Sequence, residues 1–313
     1  MKKLLTVLII LAALTGFAFA NGDQEAAPQE SAAQETAVSK ADVVADAVNA
    51  YFANMPSHIY KIPQKDFVDM VKAGEDMAII DIRSAEDYAK GHATGAVNVP
   101  WGTDIAANLQ YIPQNKPVMV YCYSGQTAGQ TVMLLNAAGI PARSVNLGWN
   151  FGISKVEGVD AIIETAANDL DTSYSFDVDP AVAGAVKAYF DQFASLKGTP
   201  FASNIVSEEN AKKILDAGDS DVLFVSVRKP EHYAEGHIDG AVNIPWGKGM
   251  QENFSKLPKD KKLIVYCYTG QTAGQTVAGL KMLGFDAVSL KGGMGMPANA
   301  PYGWANKGYP VVK

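Results

Sequence analysis

Hydrophobic positions follow two rhythms along the chain. Short apolar runs read as strands over Met77 to Ile82, Ala96 to Val99, Val118 to Tyr121, Arg143 to Leu147, Val222 to Val227, Ala241 to Ile244, Leu263 to Tyr266 and Ala287 to Leu290. Between them, helical spacing marks Gln64 to Lys72 (closing near Gly74), Ser84 to Ala89, Thr131 to Ala138, Glu208 to Leu215, Pro230 to Ala234 and Thr276 to Leu283. A further helical stretch is expected near Gly158 to Asn168. Ser39 starts a helix with Asp42 as an imperfect capping box, and Val44, Val48, Tyr51 and Phe52 share its apolar face. Asp179-Pro180 open its counterpart, faced by Val182, Val186, Tyr189, Phe190 and Phe193. These two stripes predict core or domain-packing surface rather than a ligand box. Strands alternating with helices predict an α/β fold with parallel sheets.

The pattern occurs twice. From Arg83 to Gln130 every element returns, without a gap, 145 positions later, so that Cys267 repeats Cys122. That period is far longer than a solenoid repeat and indicates a duplicated domain. The expected division is a first domain over 41–168, a polar acidic linker over 169–178 and a second domain over 179–313. Beyond the cysteine helices the copies diverge, the second running from Gly292-Gly293 through a Gly/Pro/Met-rich loop to Gly303.

The only two cysteines lie in the best-repeated stretch, Tyr121-Cys122-Tyr123-Ser124-Gly125-Gln126-Thr127-Ala128 and Tyr266-Cys267-Tyr268-Thr269-Gly270-Gln271-Thr272-Ala273. Each ends a buried strand and precedes a helix, the sheet edge where open α/β folds place their chemistry. Main-chain N–H groups and the positive end of the following helix favour an anion there, hence a thiolate nucleophile. No histidine lies in either loop, which argues against a Cys-His protease arrangement.

Upstream stand Asp81-Ile82-Arg83, Glu86-Asp87-Tyr88, Gly91-His92 and Gly95-Ala96-Val97-Asn98-Val99-Pro100-Trp101, answered by Val227-Arg228, Glu231-His232-Tyr233, Gly236-His237 and Gly240-Ala241-Val242-Asn243-Ile244-Pro245-Trp246. With the strand-Cys-loop-helix unit, these residues make the chain resemble the rhodanese (sulfurtransferase) family over nearly all of its mature length. The resemblance implies two rhodanese-like domains, each a five-stranded parallel sheet with helices on both faces. It implies that Cys122 and Cys267 are nucleophiles carrying sulfane sulfur as persulfides. The amides of Tyr123, Ser124, Gly125, Gln126, Thr127 and Ala128, and of Tyr268, Thr269, Gly270, Gln271, Thr272 and Ala273, would bind the terminal sulfur. The donor would be a small sulfur-containing anion such as thiosulfate or polysulfide, and the acceptor a thiol, cyanide or a protein, with ping-pong kinetics. No cofactor and no metal are implied. Two departures stand out. Many thiosulfate-using members carry Arg or Lys in the loop, whereas both loops here are uncharged, and Ser226 stands where the first copy has Asp81.

Other residues admit quieter readings. Arg83 and Arg228 precede Glu86 and Glu231; a structural ion pair is favoured over binding of an anionic donor. Trp101 and Trp246 are pocket walls or packed aromatics, and His92 and His237 are turn caps rather than bases. Tyr123 and Tyr268 are placed to shield a persulfide. A cysteine phosphatase needs Arg six residues after the thiol, where Ala128 and Ala273 stand. A sulfur carrier without turnover is the rival from another class, and a degenerate interaction domain would have lost the cysteine.

Composition adds compartment and partners. With 313 residues and 48% hydrophobic content the chain can build two ordinary domains, and a net charge of −7 argues against nucleic acid. Met1-Lys2-Lys3, an apolar run to Phe19 and Ala18-Phe19-Ala20 form a signal-peptide pattern over 1–20, cleaved after Ala20, which predicts a periplasmic or secreted protein without a stable membrane anchor. Residues 21–40 are too polar to bury a core and read as a disordered linker. Two cysteines at equivalent places in separate domains are too far apart for a disulfide.

Overall fold

A computed structural model describes residues 39–313. The first copy runs α1 (Lys40–Ala53), β1 (Lys61–Ile62), α2 (Gln64–Ala73), β2 (Ala78–Asp81), α3 (Ala85–Lys90), β3 (His92–Ala93), β4 (Ala96–Asn98), α4 (Thr103–Ala107), β5 (Val118–Tyr121), α5 (Gln126–Ala137), β6 (Ala142–Val145) and β7 (Ile163–Glu164). The second runs α6 (Pro180–Asp191), α7 (Phe193–Leu196), β8 (Ile205–Val206), α8 (Glu208–Asp216), β9 (Val222–Ser226), α9 (Pro230–Glu235), β10 (Val242–Asn243), β11 (Lys262–Tyr266), α10 (Gln271–Met282) and β12 (Ala287–Leu290).

Each copy contains a five-stranded sheet, ordered β1-β6-β5-β2-β4 and β8-β12-β11-β9-β10, and every pairing in both is parallel. The most apolar runs, β5 and β11, occupy the centres, as parallel strands covered on both faces must. Side chains alternate across each strand. Met119 and Tyr121 therefore join a core private to the first copy, and Ile264 and Tyr266 one private to the second. Val118, Val120 and Cys122, with Leu263, Val265 and Cys267, point the other way into one core built by both copies. The two-residue period of a strand thus aims both cysteines at the seam.

That seam is lined by α5 and α10, whose glycines let the backbones touch. A Cβ on Gly129 would lie 2.2 Å from the Gln271 carbonyl oxygen, and one on Gly274 would lie 2.4 Å from that of Gln126. The two striped helices cross over. α1, opened by a complete Ser39–Asp42 capping box, sets Phe52 edge-on to Trp246 and Phe254 of the second copy. α6, capped by Asp179, sets Phe190 edge-on to Trp101 of the first. Both apolar faces are domain-packing surface.

Several sequence expectations need correction. The cysteine helices begin at Gln126 and Gln271, five residues before the expected Thr131 and Thr276, because Gly125 and Gly270 take left-handed φ of 89° and 92° and turn the chain straight into the first helical turn. The stretch near Gly158 to Asn168 is not an α-helix but a 3-10 turn over Val159–Ile162 followed by β7, which pairs antiparallel with β3. Glu164 holds it there, accepting hydrogen bonds from the Gly95 amide (2.8 Å) and Asn168 (2.7 Å). Phe193 leaves the α6 stripe, since α6 ends at Asp191, and it packs on Trp101 from α7. Residues 169–178 carry no helix or strand, and the Phe176 amide bonds the Gln110 carbonyl. The leader at 1–20 and nearly all of the segment 21–40 lie outside the described residues, while Lys40 already belongs to α1. Among the described residues no helix is long and apolar enough to cross a membrane.

Candidate active site

Cys122 and Cys267 are free thiols at the carboxyl ends of β5 and β11, each only 2% exposed. Cys122 Sγ accepts hydrogen bonds from the Gly125 amide (3.1 Å) and the Ala128 amide (3.4 Å). Cys267 Sγ accepts one from the Gly270 amide (3.1 Å). Gln126, Thr127 and Ala128, and Gln271, Thr272 and Ala273, form first helical turns, whose N–H groups have no intrahelical acceptor and present positive charge. Each sulfur therefore sits in a shell of main-chain dipoles with room for negative charge and with no side-chain base bonded to it.

A second glycine turn braces each loop. After β6, Gly148 (φ 58°) packs so closely that a Cβ would meet the Cys122 carbonyl oxygen at 2.5 Å and the Gly125 nitrogen at 2.7 Å. Gly293 (φ 62°) stands the same way against Cys267 and Gly270. The next amides, of Trp149 and Met294, bond the Cys122 and Cys267 carbonyls at 2.7 Å. Sequence reasoning missed this brace. Its signal was present, because Gly148 and Gly293 keep the spacing of the cysteines.

The loop side chains divide by task. Gln126 and Gln271 reach across the seam: Gln126 Nε2 donates to Ser289 Oγ (2.7 Å) and the Leu290 carbonyl (3.0 Å), and Gln271 Nε2 donates to Ser144 Oγ (2.7 Å). Their amides serve the loop while their side chains lock the copies together. Eight residues after each thiol, Gln130 and Gln275 accept from Tyr189 and Tyr51 of the opposite copy. Burial pushes both phenols well above the ordinary tyrosine range. Tyr123 and Tyr268 turn their hydroxyls away from the sulfurs. Tyr123 donates to Asp87 (2.6 Å), which helps hold that carboxyl down at about 2, and Tyr268 pairs with His232 (2.5 Å). Ser124, Thr127, Thr269 and Tyr268 are half-buried, and Tyr123 is exposed.

The arginines have partners other than Glu86 and Glu231. Arg83 is buried and pairs with Asp81 through Nε (3.0 Å) and NH2 (2.6 Å), and donates to the Gly91 carbonyl (2.7 Å). Glu86 instead meets Lys90 on the surface of α3. Arg228 donates to the His232 and Gly236 carbonyls, meets no carboxylate among the described residues, and leaves its buried Nε unpaired. His92 is buried, stacks on Tyr88 and bonds its carbonyl (2.9 Å), while His237 repeats this on Tyr233 (3.0 Å); both are turn caps. Trp101 and Trp246 pack against Phe190 and Phe52 at the seam with their indole N–H groups buried and unpaired.

A cavity of about 170 Å³ opens beside the first loop, lined by Tyr123, Ser124, Gln126, Asn150, Phe151 and, from the second copy, Thr269, Lys291, Gly292, Asn299 and Tyr302. It is small and walled by both copies.

The family model described as Rhodanese-like domain matches residues 63–151 and again 207–295. A sulfurtransferase of Allochromatium vinosum is 32% identical over 111 residues, covering 35% of this chain and 94% of that protein. The thiosulfate sulfurtransferase PspE of Escherichia coli is 36% identical over 73 residues, 23% of this chain and 69% of that protein. A longer protein of Mycobacterium tuberculosis, named "Probable adenylyltransferase/sulfurtransferase MoeZ", is 40% identical over 82 residues, 26% of this chain, which spans 21% of its length.

Proposed function

Because the chain belongs to the rhodanese family in each of its halves, we propose that it is a sulfurtransferase moving sulfane sulfur through persulfides on Cys122 and Cys267. The observation that carries this reading is the repeated contact of a strand-end thiol with main-chain amides at the start of α5 and α10. The thiolate attacks the outer sulfur of a donor such as thiosulfate. A new S–S bond forms on the cysteine, the donor's own S–S bond breaks, and sulfite leaves with the electron pair. The terminal sulfur of the persulfide keeps one negative charge, which the amide shell stabilises. An acceptor nucleophile, cyanide or a thiolate, then takes that sulfur and restores the cysteine thiolate. Each half-reaction balances without an oxidant or a metal, and the order is ping-pong.

A second reading is a carrier that holds sulfane sulfur from polysulfide and delivers it to a partner without thiosulfate turnover. The uncharged loops favour it. Thiocyanate formed from thiosulfate and cyanide supports the enzyme; loading from polysulfide alone supports the carrier. Mass spectrometry of cysteine peptides after donor treatment is the direct test. One added sulfur is expected on each peptide, Cys122→Ser and Cys267→Ser each remove one of the two, and the double variant loads none. Thiosulfate turnover surviving in the double variant would end the proposal. The leader pattern at Met1 to Ala20 supports an exported protein, and a mature N-terminus at Asn21 is the expected result of terminal sequencing.

A further inference from the structure

The chemistry proposed above brings an anionic donor to a buried thiolate, and the six residues that follow each cysteine contain no cation. Two negative charges approaching at contact distance repel by several kcal/mol unless a positive group is near. Main-chain dipoles supply only partial charge. A full charge has to come from elsewhere in the molecule.

At the seam, two lysines face the loops of the opposite copy. Lys61, in the edge strand β1, pairs in register with Ser144, so the two side chains lie on one face of the sheet. Ser144 Oγ accepts the hydrogen bond from Gln271, the first residue of the Cys267 helix (2.7 Å). The neighbouring Ile62 points to the private core, which leaves Lys61 on the side of the second copy. It is half-buried, and its ammonium meets no carboxylate among the described residues. Lys291 follows β12 and walls the cavity beside Tyr123 and Ser124. Its neighbours on either side are tied to the first loop, since the Leu290 carbonyl and the Gly292 amide both bond the Gln126 side chain. Its ammonium lies over the Tyr302 ring (4.3 Å) and likewise meets no carboxylate among the described residues.

The two lysines are not symmetry mates. The register partner of Ser289 in the second sheet, matching Lys61, is Ile205, and the residue matching Lys291 is Asn146. We propose that each copy supplies the donor-binding cation of the other's site: Lys61 for Cys267 and Lys291 for Cys122. The donor class is a small dianionic or monoanionic sulfane compound, thiosulfate or hydropolysulfide, whose negative end rests on the lysine while its outer sulfur meets the thiolate. The inference rests on the sulfur-transfer reading. Burial holds the Lys61 ammonium below the ordinary lysine range, and the charge of Cys267 draws it back up, which agrees with their closeness.

The test compares thiosulfate with an uncharged organic trisulfide, RS–S–SR, as donors to the full chain. The thiolate attacks the trisulfide's central sulfur and one RS⁻ leaves. Mass spectrometry therefore reads the initial loading of each cysteine peptide as one added sulfur from thiosulfate and an added S–SR group from the trisulfide. In Lys61→Met the thiosulfate-to-trisulfide ratio at Cys267 falls about tenfold, the order expected for one lost charge near a binding site, while the ratio at Cys122 in the same molecules holds. Lys291→Met reverses the pattern, and Lys61→Arg restores the ratio at Cys267. An unchanged ratio, or an equal fall at both cysteines, overturns the inference while leaving sulfur transfer intact. If neither cysteine of the unaltered protein takes sulfur from either donor, the sulfur-transfer reading falls, and this inference with it.

Discussion

In the first copy the Arg83 guanidinium is locked to Asp81, while in the second the Arg228 guanidinium leans on two carbonyls instead and only the Arg228 backbone amide reaches Ser226. Both arginines are buried in the turn between strand and helix. One copy neutralises its buried charge and the other spreads it over main-chain dipoles. Both cysteine loops keep the 3.1 Å contact from the first glycine amide, and Cys122 adds a second, from Ala128. The copies have thus kept the main contact of the sulfur cradle and let its supports drift further. Where supports differ, variants in the two copies should behave differently; where they agree, variants should match.

The largest difference is expected at the arginine turn. Asp81→Ser leaves a buried guanidinium without its partner and should destabilise the protein by about 3–5 kcal/mol. Ser226→Asp gives Arg228 the carboxylate it lacks and should stabilise by about 1–3 kcal/mol, as charged hydrogen bonds do. Urea unfolding midpoints measure both, and shifts of the same sign would break the comparison. At the seam the copies agree. Gly129→Ala and Gly274→Ala each drive a Cβ into the facing carbonyl and should both lose about 1–3 kcal/mol. Gly184→Ala, on α6 with open space around it, should gain about 0.5–1 kcal/mol. Unequal losses at Gly129 and Gly274 would show that the seam is less symmetric than its glycines.

A smaller loss is expected at the phenols that clasp Gln275 and Gln130. Tyr51→Phe and Tyr189→Phe should each lose about 1 kcal/mol at neutral pH. Both phenols are held above the ordinary tyrosine value by burial. Their contribution is complete below about pH 10, where an unfolded tyrosine ionises, and fades as pH rises beyond it. The double Phe variant should therefore show a shallower loss of thermal stability on the alkaline side than the unaltered chain.

Much of this was legible in the residues. The central strands and the cysteine loops follow from apolar runs and a repeated motif, and the five-stranded sheets from the family those motifs resemble. The crossing of α1 and α6 did not follow, because an amphipathic stripe reports that a face is buried and not against what. Gln126 and Gln271 read as loop residues, since only the mutual orientation of the copies shows their side chains reaching Ser289 and Ser144. The early start of α5 was hidden by Thr127 and Gly129, both weak helix formers, the glycine making room for the Gln271 carbonyl. Glu86 looked like the partner of Arg83 from its position three residues on, but it opens a surface helix, while Asp81 shares the buried end of β2. The edge strands β1 and β8 are two residues long, below what periodicity resolves.

The bonds across the seam come in exchanged pairs: Gln126 with Ser289 and Gln271 with Ser144, Tyr51 with Gln275 and Tyr189 with Gln130. Reciprocal pairing of this kind is the signature of an isologous dimer. A single-copy ancestor associating about a two-fold axis would have displayed the same contacts between separate chains. Joining the two genes end to end would have made that partnership permanent, and from then on each half could mutate without having to fit a twin of itself.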